Sequence, residues 1–238
     1  MAIKGILFDK DGTIVDYWRT WLPINREVAL FAAAGDRALA DELLRLGGQD
    51  PATGRVAAGS PLAVGSVADI ADTFAAHPGV KPPSNFLAEI DRIFSAGGAR
   101  HSELVDGARE TIAELKRRGL RLGIATNDSI GGLEASLGRH DILGLFDFTA
   151  GCDSGFGAKP DPRMVLAFCA AVDLAPREVA MVGDAVSDLA MGRAAGVGLA
   201  IGVLGGTSER DDLDGYADLI LDSINELLSR AELCPSLG

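Results

Sequence analysis

Two hydrophobic patterns divide the chain. Ile6, Leu7 and Phe8 form a continuous apolar run with the length of a buried strand, and it stops abruptly at Asp9-Lys10-Asp11-Gly12. After Asp16 apolar residues recur instead at helical spacing, over 21–34, 37–46, 67–76 and 85–95, separated by joints that carry Gly, Pro and Ser. From Leu104 onward the pattern alternates. Helices are predicted over 106–118, 130–137, 162–172, 187–195 and 223–231, and short apolar strands over 120–125, 146–150, 179–182, 197–201 and 219–221.

Short apolar strands separated by helices imply an α/β protein, a parallel sheet with helices on both faces. In such a sheet every strand-to-helix loop emerges on the same edge, where ligands bind. The loops after Phe8, Ala125 and Val182, with the loop leading to Pro160, are therefore expected to meet although they lie far apart in sequence. No internal repeat interrupts this plan, and the helical stretch after Asp16 reads as an insert between the first strand and the rest of the sheet.

Composition narrows the choices. A chain of 238 residues, 47% of them hydrophobic, has ample material for a sizeable core. Its formal charge of −12, from 34 acidic against 22 basic residues, argues against nucleic acid or an anionic membrane surface as a partner. The one basic cluster, Lys116-Arg117-Arg118, falls in the last turn of a predicted helix and complements the helix dipole. No run approaches the roughly 20 apolar residues of a membrane span, and Met1-Ala2-Ile3-Lys4 leads straight into the first strand without a signal-peptide pattern. A cytoplasmic protein is expected. Three irregularly spaced cysteines, Cys152, Cys169 and Cys234, suit neither a disulfide framework nor a zinc site and are read as reduced. Cys169 is expected in the core.

Four polar clusters fall at the expected edge: Asp9 with Asp11, Thr126 with Asn127, Lys159, and Asp184 with Asp188. Singly, each has an ordinary explanation as a turn, a helix cap or a solvated loop residue. Together they supply what phosphoryl transfer needs, charge neutralisation and in-line positioning. Converging carboxylates without Cys or His ligands suit a hard, oxygen-seeking cation such as Mg²⁺. Asp9 and Asp184 are the expected direct ligands, and Asp188, a helical turn on, is expected to reach the metal or a coordinated water. With charge screened in this way a carboxylate can attack phosphorus, Asp11 can shuttle the proton, and Lys159 and Thr126 can hold the phosphoryl oxygens. Gly12 and Thr13 let the backbone turn closely around the phosphate.

These residues resemble the motifs of the haloacid dehalogenase-like (HAD) hydrolase superfamily along essentially the whole chain. Phe8-Asp9-Lys10-Asp11-Gly12-Thr13 looks like its first motif, Ala125-Thr126-Asn127 its second, Ala158-Lys159-Pro160-Asp161-Pro162 its third, and Val182-Gly183-Asp184-Ala185-Val186-Ser187-Asp188 its fourth. The resemblance implies a Rossmann-like doubly wound core over residues 1–16 and 101–238. A helical cap over 17–100 is similar to the C1 cap of the phosphoglycolate phosphatase-like branch. It further implies Mg²⁺, Asp9 as nucleophile, Asp11 as general acid/base with its backbone carbonyl on the metal, and Thr126, Asn127 and Lys159 as substrate-binding groups. Asp11 stands where the superfamily's dehalogenases lack a carboxylate. Lys81, the single cap lysine, lies in a surface-loop context unlike a phosphonatase Schiff-base lysine. Thr13 matches phosphatases better than sugar phosphomutases.

The expected function is thus a Mg²⁺-dependent phosphatase acting on a small phosphoglycolate-like metabolite through an aspartyl-phosphate. A phosphomutase or other phosphotransferase is the alternative, and a catalytically silent binding protein a more distant one. In the cap, Tyr17, Trp18, Arg19, Trp21, Asn25 and Arg26 are the candidates to line the cavity, with Arg19 or Arg26 meeting a substrate carboxylate. His77, His101 and His140 are read as structural or surface residues, and the protein as a monomer or homodimer.

Overall fold

The computed structural model describes residues 2–233; Cys234 lies outside them. Strand β1 (Gly5–Phe8) leads into an insert of five helices: α1 (Tyr17–Ala32), α2 (Arg37–Leu46), α3 (Pro61–Val64), α4 (Val67–Ala75) and α5 (Phe86–His101). Then follow α6 (Ala108–Arg117), β2 (Arg121–Ala125), α7 (Ile130–Gly138), β3 (Phe148–Ala150), α8 (Arg163–Val172), β4 (Val179–Gly183) and α9 (Val186–Ala195). The chain continues through β5 (Leu199–Val203), α10 (Arg210–Leu213) and β6 (Leu219–Leu221). All strand pairs are parallel, in the order β3-β2-β1-β4-β5-β6. The α/β parallel-sheet fold expected from the pattern is the one observed.

Strand alternation sorts the core into two layers. Ile6 and Phe8 of β1, Leu122 and Ile124 of β2, and Ala180 and Val182 of β4 pack on one face with Ile112 and Leu115 of α6 and Leu133 and Leu137 of α7. Leu7, Ala125, Val179 and Met181 point the other way, against Met164, Val165 and Phe168 of α8. This is the two-period of a strand buried on both sides, and it explains why β1 reads as an unbroken apolar run.

The insert has a hydrophobic cluster of its own, built from Tyr17, Trp21, Ile24 and Val28 of α1, Leu43 and Leu44 of α2, Phe74 of α4, and Ile90 and Phe94 of α5. The chain enters and leaves it along adjacent paths: Val15 and Leu104 form an antiparallel bridge, and Asp16 N donates to Glu103 O at 2.8 Å. No helix among the described residues is long and apolar enough to cross a membrane.

Several boundaries differ from the pattern for identifiable reasons. Pro23 suits a helix start near residue 21, since proline favours the first turn, yet α1 begins at Tyr17 because the Asp16 side chain accepts from Arg19 N at 3.0 Å. Gly97 and Gly98 look like breakers, yet α5 runs through both. A Cβ at Gly97 would meet Ile24 at 2.7 Å, so glycine there lets α5 close on α1. The closing helix expected over 223–231 is a 3₁₀ segment, Ile224–Ser229. Asn225 is drawn sideways, its amide donating to Asp106 O at 2.7 Å and accepting from Thr111 Oγ1 at 2.8 Å.

Phe8 is fully buried where β1 meets its helix layer, edge-on to Phe146. Phe8→Ala is expected to cost about 3–5 kcal/mol of stability through lost burial and the cavity left behind, measured as a lower urea midpoint with an unchanged m-value.

Candidate active site

The order of strands reverses beside β1: the chain runs outward from β1 to β2 and β3, then returns to place β4 on its other side. Such a switch point opens a crevice at the carboxyl ends of the two strands. Phe8 pairs with Val182, so the next residues of the two strands, Asp9 and Gly183-Asp184, leave the sheet together, and Asp9 N donates to Val182 O at 2.8 Å. Asp188 arrives on the first turn of α9, where its Oδ2 accepts from Ala185 N at 3.0 Å. Carboxylate oxygens of Asp9, Asp184 and Asp188 lie within 4.8 Å of one another, all three residues buried.

Lys159 is the cation against this cluster. Its Nζ contacts Asp9 Oδ1 closely and lies 2.7 Å from Asp188 Oδ1. Burial pushes the Asp9 carboxyl up to about 7; Lys159 opposes the rise, and Asp188 and Asp11 add to it. Asp184 is pushed well above the usual carboxylate range by burial and by its neighbours Asp9 and Asp188, against the pull of Lys159. Lys159 itself is raised despite its burial because two carboxylates favour its charged form. Glycines make room for this arrangement: a Cβ at Gly206 would meet Asp184 Oδ2 at 1.7 Å, and Gly12 has φ +83° with Asp184 2.7 Å from where its Cβ would stand.

Asp11 faces a different environment. Its carboxylate takes Lys10 Nζ at 2.9 Å and the indole Nε1 of Trp21 at 2.7 Å. Lys10 is completely buried and also reaches Asp128 Oδ2 at 3.1 Å and Ser136 Oγ at 3.3 Å, with its ammonium 4.9 Å from the Trp21 ring centroid. Burial raises the Asp128 carboxyl and Lys10 works against that rise. The insert thus touches the carboxylate after β1 directly, through one indole N–H.

Thr126 is buried, and its hydroxyl accepts from Asp128 N at 3.1 Å, which leaves its proton to donate. Asn127 is a strap: its Oδ1 accepts from Lys159 N at 2.9 Å and its Nδ2 donates to Val64 O of the insert at 2.9 Å. Both line the same pocket as Asp9, Asp11, Lys159, Asp184 and Asp188.

The arginines lie elsewhere. Arg19 does not line the pocket; its side chain is 52% exposed and faces Asp16, Glu103 and Asp106, and Arg26 pairs with Asp41 at 3.1 Å. Helix geometry gives the reason: Tyr17, Trp21 and Asn25, spaced by four, share the face of α1 that looks into the pocket, and Arg19 stands on the opposite side. Of the histidines, His77 lies 3.4 Å from Glu42 and His140 Nε2 lies 3.1 Å from Ser102 Oγ. Cys152 and Cys169 are free, with thiols pushed up by burial, which does not suit a nucleophile. Three contributors escaped the sequence reading. Lys10 was passed over between two aspartates, Asp128 beside a motif, and the loop after β5, whose Gly205-Gly206 pair was the available signal. From that loop Thr207 N donates to Asp184 Oδ2 at 3.3 Å.

The donor set fits a hard divalent cation. Two of the three buried carboxylates, Asp9 and Asp188, contact one ammonium group, the oxygens of all three are close enough for one ion, and among the described residues no His or Cys takes part.

The sequence model of the haloacid dehalogenase-like hydrolases matches residues 3–196. Among curated relatives, a phosphoglycolate phosphatase of Cereibacter sphaeroides is 31% identical over 204 residues, covering 84% of each chain. The N-acetylmuramic acid 6-phosphate phosphatase of Pseudomonas putida is 28% identical over 231 residues, covering 95% of each. Among solved structures, CbbY from Rhodobacter sphaeroides in complex with phosphate is 28% identical, covers 94% of this chain and 96% of its own, and superposes with a TM-score of 0.68.

Two outcomes follow from the charges. Asp9 binds a proton in the folded state at pH values where the unfolded chain has lost it, so between about pH 4 and about 7 stability falls as pH rises. Thermal melting in EDTA should give a lower Tm at pH 8 than at pH 6, and added Mg²⁺ should raise Tm more at pH 8. Lys10→Met leaves Asp11 and Asp128 without their cation and is expected to cost about 3–5 kcal/mol; adding Asp128→Asn should recover part of it in the same urea titration.

Proposed function

The chain belongs to the haloacid dehalogenase-like hydrolase family, and from that premise we propose that it is a Mg²⁺-dependent phosphatase of small phosphate monoesters, working through an aspartyl-phosphate on Asp9. The observation that carries this reading is the buried triad Asp9, Asp184 and Asp188 with its single lysine. Relatives named as phosphatases of phosphoglycolate and of a sugar 6-phosphate support it.

In this reading Asp9, Asp184 and Asp188, with the backbone carbonyl of Asp11, hold Mg²⁺. The ion supplies charge neutralisation for the phosphoryl oxygens. Lys159 and the Thr126 hydroxyl hold the same oxygens, and Asp9 attacks phosphorus in line with the ester bond. As that bond breaks, Asp11 gives its proton to the departing alcohol oxygen. Asp11 then takes a proton from the water that attacks phosphorus, the phosphorus–oxygen bond to Asp9 breaks, and the Asp9 carboxylate is regenerated with release of inorganic phosphate.

Trp21 keeps Asp11 oriented through its indole N–H. Asn127 fixes Lys159 from one side and the insert from the other. Residues 17–100 act as the cap, closing over the pocket to exclude water, with the two chain segments bridged at Val15 and Leu104 as the hinge.

Purified protein with Mg²⁺ should release phosphate from p-nitrophenyl phosphate. EDTA should stop the reaction, Asp9→Asn should reduce it to background, and Asp11→Asn should lower kcat by roughly 10²–10⁴. Turnover that persists in EDTA, or an Asp9→Asn variant with normal rate, contradicts the reading. Conversion of sugar phosphates to isomers without free phosphate would assign the chain to phosphoryl transfer instead.

A further inference from the structure

The wall of the pocket opposite the phosphate site has a distinct chemistry. It is contributed by the insert, and its larger apolar side chains beside Tyr17 are Trp21, Leu62, Val67, Ile70 and Phe94, with the Trp21 and Phe94 rings edge to face at 5.9 Å. Among the described residues lining the pocket, Lys159 is the one cation, and it is committed to Asp9 and Asp188. Five carboxylates line the same space: Asp9, Asp11, Asp128, Asp184 and Asp188. Lys10 stands behind the wall, fully buried, with Asp11 and Asp128 on its ammonium.

The polar groups of the wall have spent their donors. Tyr17 has one O–H and gives it to Leu62 O at 2.7 Å; Trp21 has one N–H and gives it to Asp11. Asn25 donates from Nδ2 to Gln49 Oε1 at 3.0 Å, and its side chain also hydrogen-bonds the Tyr17 hydroxyl, which occupies its second N–H. What the wall offers is apolar surface and acceptor oxygens. A carboxylate on the substrate's alcohol portion needs donors or a cation and would meet neither, while adding a further negative charge near Asp11 and Asp128. A neutral alcohol portion can lay an apolar or aromatic face on Trp21 and Phe94 and give a hydroxyl proton to the acceptors.

We infer that the substrate is a phosphate monoester whose alcohol portion is uncharged and presents an apolar or aromatic face, so that phosphoglycolate itself is a poor substrate. The inference rests on the phosphatase reading above and specifies the other half of the molecule. The cap selects by excluding a second anion, and specificity is set by a wall that carries no positive charge.

The test compares matched esters that differ in one charge: phosphoglycolate against hydroxyethyl phosphate, and para-carboxyphenyl phosphate against para-hydroxymethylphenyl phosphate, ranked by kcat/KM with Mg²⁺ at fixed ionic strength. The neutral member should be favoured by roughly tenfold or more in each pair, the scale of one unpaired charge in a partly desolvated site. Val67→Arg and, separately, Val64→Arg place a cation in the wall and should shift the ratio toward the carboxylate member; because the ratio is read within one variant, partial loss of folded protein cancels. Equal or reversed preference in the unmodified protein overturns this inference and leaves the phosphatase reading intact. Release of phosphate from none of the four esters overturns both.

Discussion

A carboxylate at the buried end of a strand is costly to ionise, and at the β1–β4 edge three of them lie within 4.8 Å of one another. Lys159 offsets part of that charge by touching Asp9 and Asp188 together. The remainder explains much of the surrounding structure. Asp184 is cradled by Gly12 and Gly206, where a Cβ would strike it, and its Oδ2 takes a backbone N–H from Thr207. The same residual charge suits the site to a hard cation.

The sheet makes the convergence possible. Because β1 and β4 are neighbours with register Phe8 to Val182, residues 174 positions apart in sequence emerge side by side, and α9 begins soon after with Asp188 directed back. The insert then attaches at two points only a few residues from the chemistry: Trp21 on Asp11, and Asn127 on Val64. The position of the insert and the orientation of Asp11 are therefore linked by an indole hydrogen bond.

Much of this was legible in the sequence, for a physical reason. Strands buried on both faces leave continuous apolar runs, and the polar residues that interrupt them at the carboxyl end stand out; Asp9, Thr126 and Asp184 are visible in that way, and Lys159 by its place in the loop leading to Pro160. Arg19 was misplaced because position after a motif says nothing about helix phase, whereas the spacing of Tyr17, Trp21 and Asn25 does. Lys10 was missed because its role depends on Asp128 and Ser136, which only the packing of α7 brings beneath β1's loop. Strand alternation points residues i and i+2 the same way, which puts Asp11 beside Asp9. The turn at Gly12 instead directs its carboxylate to Lys10 and Trp21, outside the three-carboxylate group.

The central claim is that the charge cluster turns Asp9 into the nucleophile. Its most direct test is acid quenching during turnover of p-nitrophenyl phosphate with Mg²⁺, followed by peptide mass analysis. A phosphoryl group on Asp9, labile to hydroxylamine as an acyl-phosphate is, is the predicted result. A phosphoryl group on any other side chain, or steady turnover with none trapped on the protein, would contradict it.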